Sequence, residues 1–298
     1  MRVPILLAAI GAILSLTSAL AAASQPASVV NQRISVKVEG AGSDIILIPG
    51  LASSRKVWAG LAEQLRQHYR LHLVQVAGFA DSPAVPTADG RVAAPVAEAI
   101  ADYIREQHIE APVIIGHSLG GEVALMLGAR HPERVGRLMV VDALPFYTLL
   151  IDPAATAESA APHAAAFRDA TMTAPLAQAE AMQRAAIARL AKTEAARPAL
   201  IDAATRSDRK TVADATYELM TTDLRPELAR IQAPVQVVYA YDALYGTPAS
   251  SVDATFRNAY ITTPDISFKR VDGSFHFIML DQPQAFASTV IDFLGQGG

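Results

Sequence analysis

The sequence predicts an α/β fold, a doubly wound and mostly parallel sheet into which a helical cap is inserted. Three observations carry this. Short apolar runs alternate with stretches whose apolar residues recur at helical spacing, as in parallel strands covered on both faces and joined by crossover helices. That alternation stops after residue 143 and resumes near residue 231, with Ala-rich, Met-containing helical sequence between. Residues 113–121, Val-Ile-Ile-Gly-His-Ser-Leu-Gly-Gly, run from a strand-like segment through a glycine-flanked serine into a helix-like one.

Taken in order, residues 34–38 suit a first strand. The apolar run at 44–48 is closed by Pro49-Gly50, and residues 57–67 place Val57, Leu61 and Leu65 on one helical face. A strand at 71–76 lies between Arg70 and Gly78, followed by a loop over 80–89 rich in Pro and Asp. A helix over 92–107 leads to a strand at 113–115. Residues 122–130 carry Val123 and Leu127 with the small Ala124 and Gly128 at helical spacing, and a strand follows at 138–141. The block 144–230 holds no convincing strand and is broken at Pro153, Pro162, Pro175, Pro198 and Pro226. Helices inserted there would sit over the strand C-termini, where open α/β sheets bind ligands. Strands at 234–239 and 266–271 and a final helix over 284–294 close the chain.

Composition bounds the reading. With 298 residues, 51% of them hydrophobic, the chain can bury the core of one large domain carrying an insertion. A net charge of −4 gives nucleic acid nothing to bind. Met1-Arg2, an apolar stretch over 5–20 and small residues at Ala19 to Ala23 make a secretory signal over residues 1–23. The expected organisation is therefore signal 1–23, core 24–143, cap 144–230 and core 231–298. The expected place is secreted or periplasmic, with no stable membrane insertion once the signal is cleaved. The chain has no Cys, so it has no disulfide and no thiol nucleophile. Stability must come from packing.

Ser118 is the centre of the chemistry. A serine on a sharp strand-to-helix turn needs glycine on either side, because the strained turn leaves no room for side chains against the neighbouring strand and helix. Its hydroxyl is a poor nucleophile until an imidazole takes its proton. Of seven histidines, His68, His72, His108, His131 and His163 have ordinary surface or capping explanations. His117 adjoins Ser118, but neighbouring side chains on an extended segment point apart. That leaves His276 as base, in a turn-forming loop after the strand at 266–271. Asp242, after the strand at 234–239, is preferred as the orienting acid because it lies one strand before the histidine loop. Asp142, after 138–141, competes for the role. Backbone N–H groups of Leu51 and Leu119 are the candidate oxyanion donors.

With these residues in place, the chain resembles the α/β-hydrolase fold family, as a serine hydrolase or esterase with a helical cap. The resemblance rests on Ile48-Pro49-Gly50-Leu51, Gly78-Phe79-Ala80 with Ser82, Gly116-His117-Ser118-Leu119-Gly120-Gly121, His131-Pro132-Glu133-Arg134-Val135, and His276-Phe277 with Asp281-Gln282-Pro283. Two positions depart from the family pattern: Pro49 replaces a frequent His, and Ala240-Tyr241 stand before Asp242 without the familiar glycine. The resemblance implies hydrolysis of a small or medium hydrophobic carboxylic ester through an acyl-enzyme, with no metal or organic cofactor. Phe146, Tyr147, Leu149, Leu150, Phe167 and Met172 are candidate pocket residues in the cap. The same fold also hosts peptidases, thioesterases, cofactor-free peroxidases and acyltransferases, and a non-catalytic ligand-binding protein is the alternative from another class.

Overall fold

The computed structural model describes residues 28–86 and 89–295. The expected signal at 1–23 lies outside them. Among the described residues there are eight strands: β1 (Ser28–Asn31), β2 (Ile34–Glu39), β3 (Ser43–Ile48), β4 (Tyr69–Val76), β5 (Val113–His117), β6 (Arg137–Val141), β7 (Val235–Tyr241) and β8 (Ile266–Asp272). They form one sheet in the order β1-β2-β4-β3-β5-β6-β7-β8. From β4 to β8 every pairing is parallel, while β2 runs antiparallel to β4 and β1 antiparallel to β2. The expected doubly wound, mostly parallel sheet is what the chain forms.

Alternation along the central strands explains why both faces are covered. Ile46, Ile48, Ile114, Leu138, Val140, Val235 and Val237 point into one core; Ile45, Leu47, Ile115, Met139, Val141 and Val238 point into the other. The first core is closed by α2 (Ala93–Glu106), α3 (Leu119–Arg130) and α8 (Ala249–Ala259), through residues such as Val96, Ile100, Leu125 and Phe256. The second is closed by α1 (Ala59–Leu65), the short α9 (Ile278–Asp281) and α10 (Pro283–Gly295) through Leu61, Ile278, Phe286 and Phe293, with Trp58 stacked on Phe286. Each such large side chain contributes about 1.5–3 kcal/mol relative to exposure. Helix α8 and strand β1 add to the elements expected from sequence. In α8 only Val252, Phe256 and Ala259 reach the core, in a segment otherwise rich in Ser, Thr, Asp and Asn.

Between β6 and β7 the chain forms helices and 3-10 turns, chiefly α4 (Ala157–Thr173), α5 (Leu176–Leu190), α6 (Arg197–Thr205) and α7 (Arg209–Thr221). Helix α4 packs on α7 and α5 on α6. The block is tied to the loops at the C-terminal ends of the strands. After β4, Gly78 O accepts from Asp208 N–H at 2.7 Å and Arg206 O from Asp81 N–H at 3.2 Å. After β6, Pro145 O accepts from Leu224 N–H at 2.8 Å; after β8, Phe277 N–H donates to Leu190 O at 3.1 Å. One expected break is corrected: Pro162 lies inside α4. Proline there removes one helical bond and crowds the exposed Glu158 carbonyl, at about 3 kcal/mol, and the packing of α4 on α7 carries the helix past it. No helix among the described residues is long and apolar enough to cross a membrane.

Candidate active site

Strand β5 ends at His117 and α3 begins at Leu119, so Ser118 makes the whole turn alone. It does so at φ 55° and ψ −122°, a conformation that costs a non-glycine residue about 1–3 kcal/mol. The turn is held by its neighbours. Ser118 N–H donates to Val141 O at 3.0 Å, and Ser118 O accepts from Gly121 N–H at 2.8 Å and Glu122 N–H at 3.2 Å. A Cβ on Gly116 would stand 2.0 Å from Gly120 O, and one on Gly120 would stand 2.4 Å from Ile48 O. Only glycine lets strand, turn and helix close on one another here. Ser118 itself stays partly exposed.

His276 sits in the loop that follows β8, partly exposed. Its Nδ1 lies 2.6 Å from Asp142 Oδ2. The preference for Asp242 as its partner is thereby corrected. Asp142, the residue after β6, takes a left-handed backbone at φ 48°, with its N–H donating to Val238 O at 2.7 Å. The second carboxylate oxygen accepts from Ala240 N–H at 2.8 Å. This turn swings the carboxylate across the end of β7 toward the histidine. Asp242 is committed elsewhere: it caps the 3-10 turn Ala243–Tyr245 through Leu244 N–H at 2.9 Å and pairs with Lys192 Nζ at 2.6 Å. The hydrogen bonds from Lys192 and Leu244 hold its carboxyl below the usual carboxylate range.

The loop after β3 covers the turn. A Cβ on Gly50 would stand 3.0 Å from Ser118 Cβ, so glycine is what lets this loop close over the serine. Leu51 follows it, and Ala52 then turns the chain at φ 51°. The N–H groups of Leu51 and Leu119 donate to no protein acceptor among the described residues. Buried Gln75 on β4 braces the loop, donating to Ser53 O at 3.1 Å and Phe79 O at 3.0 Å while accepting from Arg55 N–H at 2.9 Å. Gln75 escapes the sequence reading; its one signal is an amide in an otherwise apolar strand. Asp281 is a second brace. It accepts from Phe275 N–H in the histidine loop at 2.9 Å and from Lys192 and Thr193 N–H in the helical block at 3.0 and 2.8 Å. Among the pocket candidates, Phe146 and Leu149 are buried in the core, whereas Tyr147, Leu150, Phe167 and Met172 are exposed. No group of three or more His, Asp or Glu among the described residues could hold a metal ion.

The structure thus brings Ser118, Leu119, Leu51, His276 and Asp142 to one edge of the sheet and leaves Asp242 to a cation. A hydroxyl on a strained turn, an imidazole oriented by a carboxylate, and unengaged N–H groups are the parts that acyl transfer requires.

Comparison with known proteins agrees. A family pattern described as the alpha/beta hydrolase fold matches residues 45–283. The pimeloyl-acyl-carrier-protein methyl ester esterase of Yersinia enterocolitica is 27% identical over 260 residues, 85% of this chain and 93% of that one. Its namesake from Aeromonas salmonicida is 38% identical over 115 residues, which spans 38% of this chain and less than half, 43%, of the relative. Among solved structures, the enol-lactonase of Burkholderia xenovorans LB400 superposes with a TM-score of 0.74 at 20% identity, covering 91% of this chain and all of the other. The esterase of Exiguobacterium antarcticum gives 0.72 at 17% identity, covering 89% and 98%. At such identities the likeness is one of fold. The family pattern begins inside β3 and ends where α10 starts, taking in the turn at Ser118, the loop of His276 and the helical block: this chain belongs to the α/β-hydrolase fold family.

Proposed function

We propose that this protein is a serine hydrolase that cleaves carboxylic esters through an acyl-enzyme. The observation that carries the reading is the 2.6 Å contact between His276 Nδ1 and Asp142 Oδ2 at the sheet edge that also presents strained Ser118. In the proposed reaction His276 Nε2 takes the proton of Ser118 Oγ as the oxygen attacks the ester carbonyl. Asp142 holds the imidazole in orientation and stabilises the imidazolium that forms. The N–H groups of Leu51 and Leu119 receive the oxyanion, each worth about 2.7–4 kcal/mol at the transition state. The alcohol leaves with the proton from His276. Water, activated by the same imidazole, then releases the acid and restores the serine.

Tyr147, Leu150, Phe167 and Met172, exposed in the inserted block, are the side chains offered to receive a small or medium hydrophobic acyl group. The relatives' names place methyl esters among the substrates to try. We read residues 1–23 as a secretory signal, and diffusible esters rather than carrier-bound ones fit an exported enzyme. Protein recovered outside the cytoplasm should then begin near residue 24; a retained leader would overturn that reading.

The test is hydrolysis of p-nitrophenyl esters from acetate to decanoate by the wild type and by Ser118→Ala. Turnover that falls by several orders of magnitude in the variant is expected, with chain-length preference sizing the pocket. A fluorophosphonate should label the wild type at Ser118. Neither turnover nor labelling would mark a ligand-binding protein. Product formed only with an added alcohol acceptor would mark an acyltransferase.

A further inference from the structure

A second imidazole lies beside the first. His117, the last residue of β5, is 0% exposed, and its ring centroid is 4.5 Å from that of His276. Its Nε2 lies 3.0 Å from the main-chain carbonyl oxygen of His276, which also accepts from Ile278 N–H at 3.1 Å. Its Nδ1 is buried without a partner, on the side where a Cβ on Gly50 would come within 3.1 Å. Complete burial, and next the neighbouring His276 ring, push this imidazole well below the usual histidine range, so it is neutral at pH 7. A neutral ring facing a carbonyl oxygen must carry its hydrogen on Nε2, because the carbonyl can only accept.

This bond is a long tie. It joins the strand that leads into Ser118 directly to the histidine four residues beyond β8, across the two strands β6 and β7 that separate β5 from β8 in the sheet. The other holds on that loop, Phe275 N–H on Asp281, Phe277 N–H on Leu190, Ser274 N–H on Tyr241 O and the Gln282 amide on Gly273 O, fix it to its own continuation, to the helical block and to β7, while Asp142 holds the imidazole; none of these reaches β5. We propose that His117 is a positioning residue, which sets His276 in register with Ser118 through its Nε2–H bond to the His276 carbonyl. The residue type follows from the place. The group must donate a hydrogen bond, yet a charged donor there would oppose the imidazolium of His276. A buried imidazole donates while uncharged and does not compete for the serine proton.

The proposal rests on His276 being the base of the proposed hydrolase. Its test compares two nearly isosteric variants, His117→Gln, which keeps an N–H donor, and His117→Met, which has none. In His117→Met, kcat on p-nitrophenyl butyrate should fall about tenfold or more with KM within about twofold, and His117→Gln should recover most of the loss. Equal losses in both variants, or none in either, would overturn the proposal. Should both variants fail to fold, the 15N resonances of His117 in the intact wild type decide: hydrogen on Nε2 is required, and an Nδ1–H tautomer or a charged ring at pH 7 would overturn it. An inactive, phosphonate-silent wild type would instead sink the hydrolase reading itself.

Discussion

Two histidine–aspartate pairs sit on this sheet, one toward each end of its parallel strands. Toward the strand starts, His72 Nε2 on β4 lies 2.7 Å from Asp44 Oδ1 on β3. At the strand ends, His276 Nδ1 lies 2.6 Å from Asp142 Oδ2. The distances hardly differ; the remaining valences do. The second ring nitrogen of His72 is closed by Tyr103 Oη at 2.6 Å, and the second oxygen of Asp44 by Arg70 Nη2 at 2.8 Å. The Nε2 of His276 meets no protein partner among the described residues, and the ring is partly exposed. An imidazole saturated by the protein is a structural link, whereas one held at a single nitrogen is available to a substrate or a neighbouring serine. The difference is set by where strands end, since only there does backbone turn away and leave side chains unpacked.

The sharpest way to break this comparison is to mutate the acids. Asp142→Asn should lower kcat by about 10⁴, the loss that follows when an orienting carboxylate can no longer hold the imidazole tautomer. Asp242→Asn and Asp44→Asn should each leave kcat within about threefold, because neither carboxylate contacts His276. Were Asp242→Asn the more damaging, the acid would belong to β7 after all.

The saturated pair should answer in stability. His72→Phe leaves buried polar partners unmet and should cost about 1–3 kcal/mol in urea unfolding with kcat unchanged. Burial, only partly offset by Asp44, holds the His72 imidazole below the ordinary value of 6.5. It therefore favours the fold above about pH 6.5, and that favour is lost as pH falls and the unfolded chain takes up the proton first. His72→Phe should flatten this acid limb of the stability profile.

One buried carboxyl has no hydrogen-bond partner among the described residues. Glu122, one turn after Ser118 on α3, is buried at 1% exposure with both oxygens unpartnered. Burial first, then the charge of Glu218, push it well above the ordinary 4.5. Its protonated form suits the fold, so its contribution is complete below about pH 4.5 and is lost as pH rises toward the folded value. Glu122→Gln should match the wild type near pH 4.5 and surpass it increasingly on the alkaline side. A difference independent of pH would show that Glu122 does not hold a proton. The smallest effect belongs to Lys192→Met. Its side chain is 41% exposed, so losing the bond to Asp242 should cost about 0–1 kcal/mol. Because Lys192 is the larger of the two depressants of the Asp242 carboxyl and Leu244 N–H remains in the variant, the wild type should lose more stability than Lys192→Met as pH falls below about 3.8.

Much of the architecture was legible in the residues because its causes are local. Strands such as β3, β5 and β6 are apolar on both faces, and the glycines around Ser118 answer to contacts within a few residues and one neighbouring strand. Helix α8 was illegible because three apolar residues suffice once a sheet is present to receive them. Pro162 was misleading because a proline breaks a helix only when its cost of about 3 kcal/mol is not offset, and α4 gains its packing on α7 from the finished fold. Gln75 and His117 looked like a strand amide and a spare imidazole until folding brought Ser53, Phe79 and His276 within reach.

The choice between Asp142 and Asp242 marks the boundary most clearly. Both follow apolar strands, both precede His276, and strand order favoured Asp242, the one that the structure pairs with Lys192 instead. Composition, alternation and the glycine-flanked serine were enough to determine an α/β sheet with the serine turn and the histidine loop at the strand ends. Which carboxylate faces the histidine was decided by a left-handed turn at one residue and by a lysine 50 positions away that claimed the other acid. Apolar periodicity is written into neighbouring residues and survives without a fold, whereas the partner of a charge depends on which groups the finished packing brings within hydrogen-bonding distance.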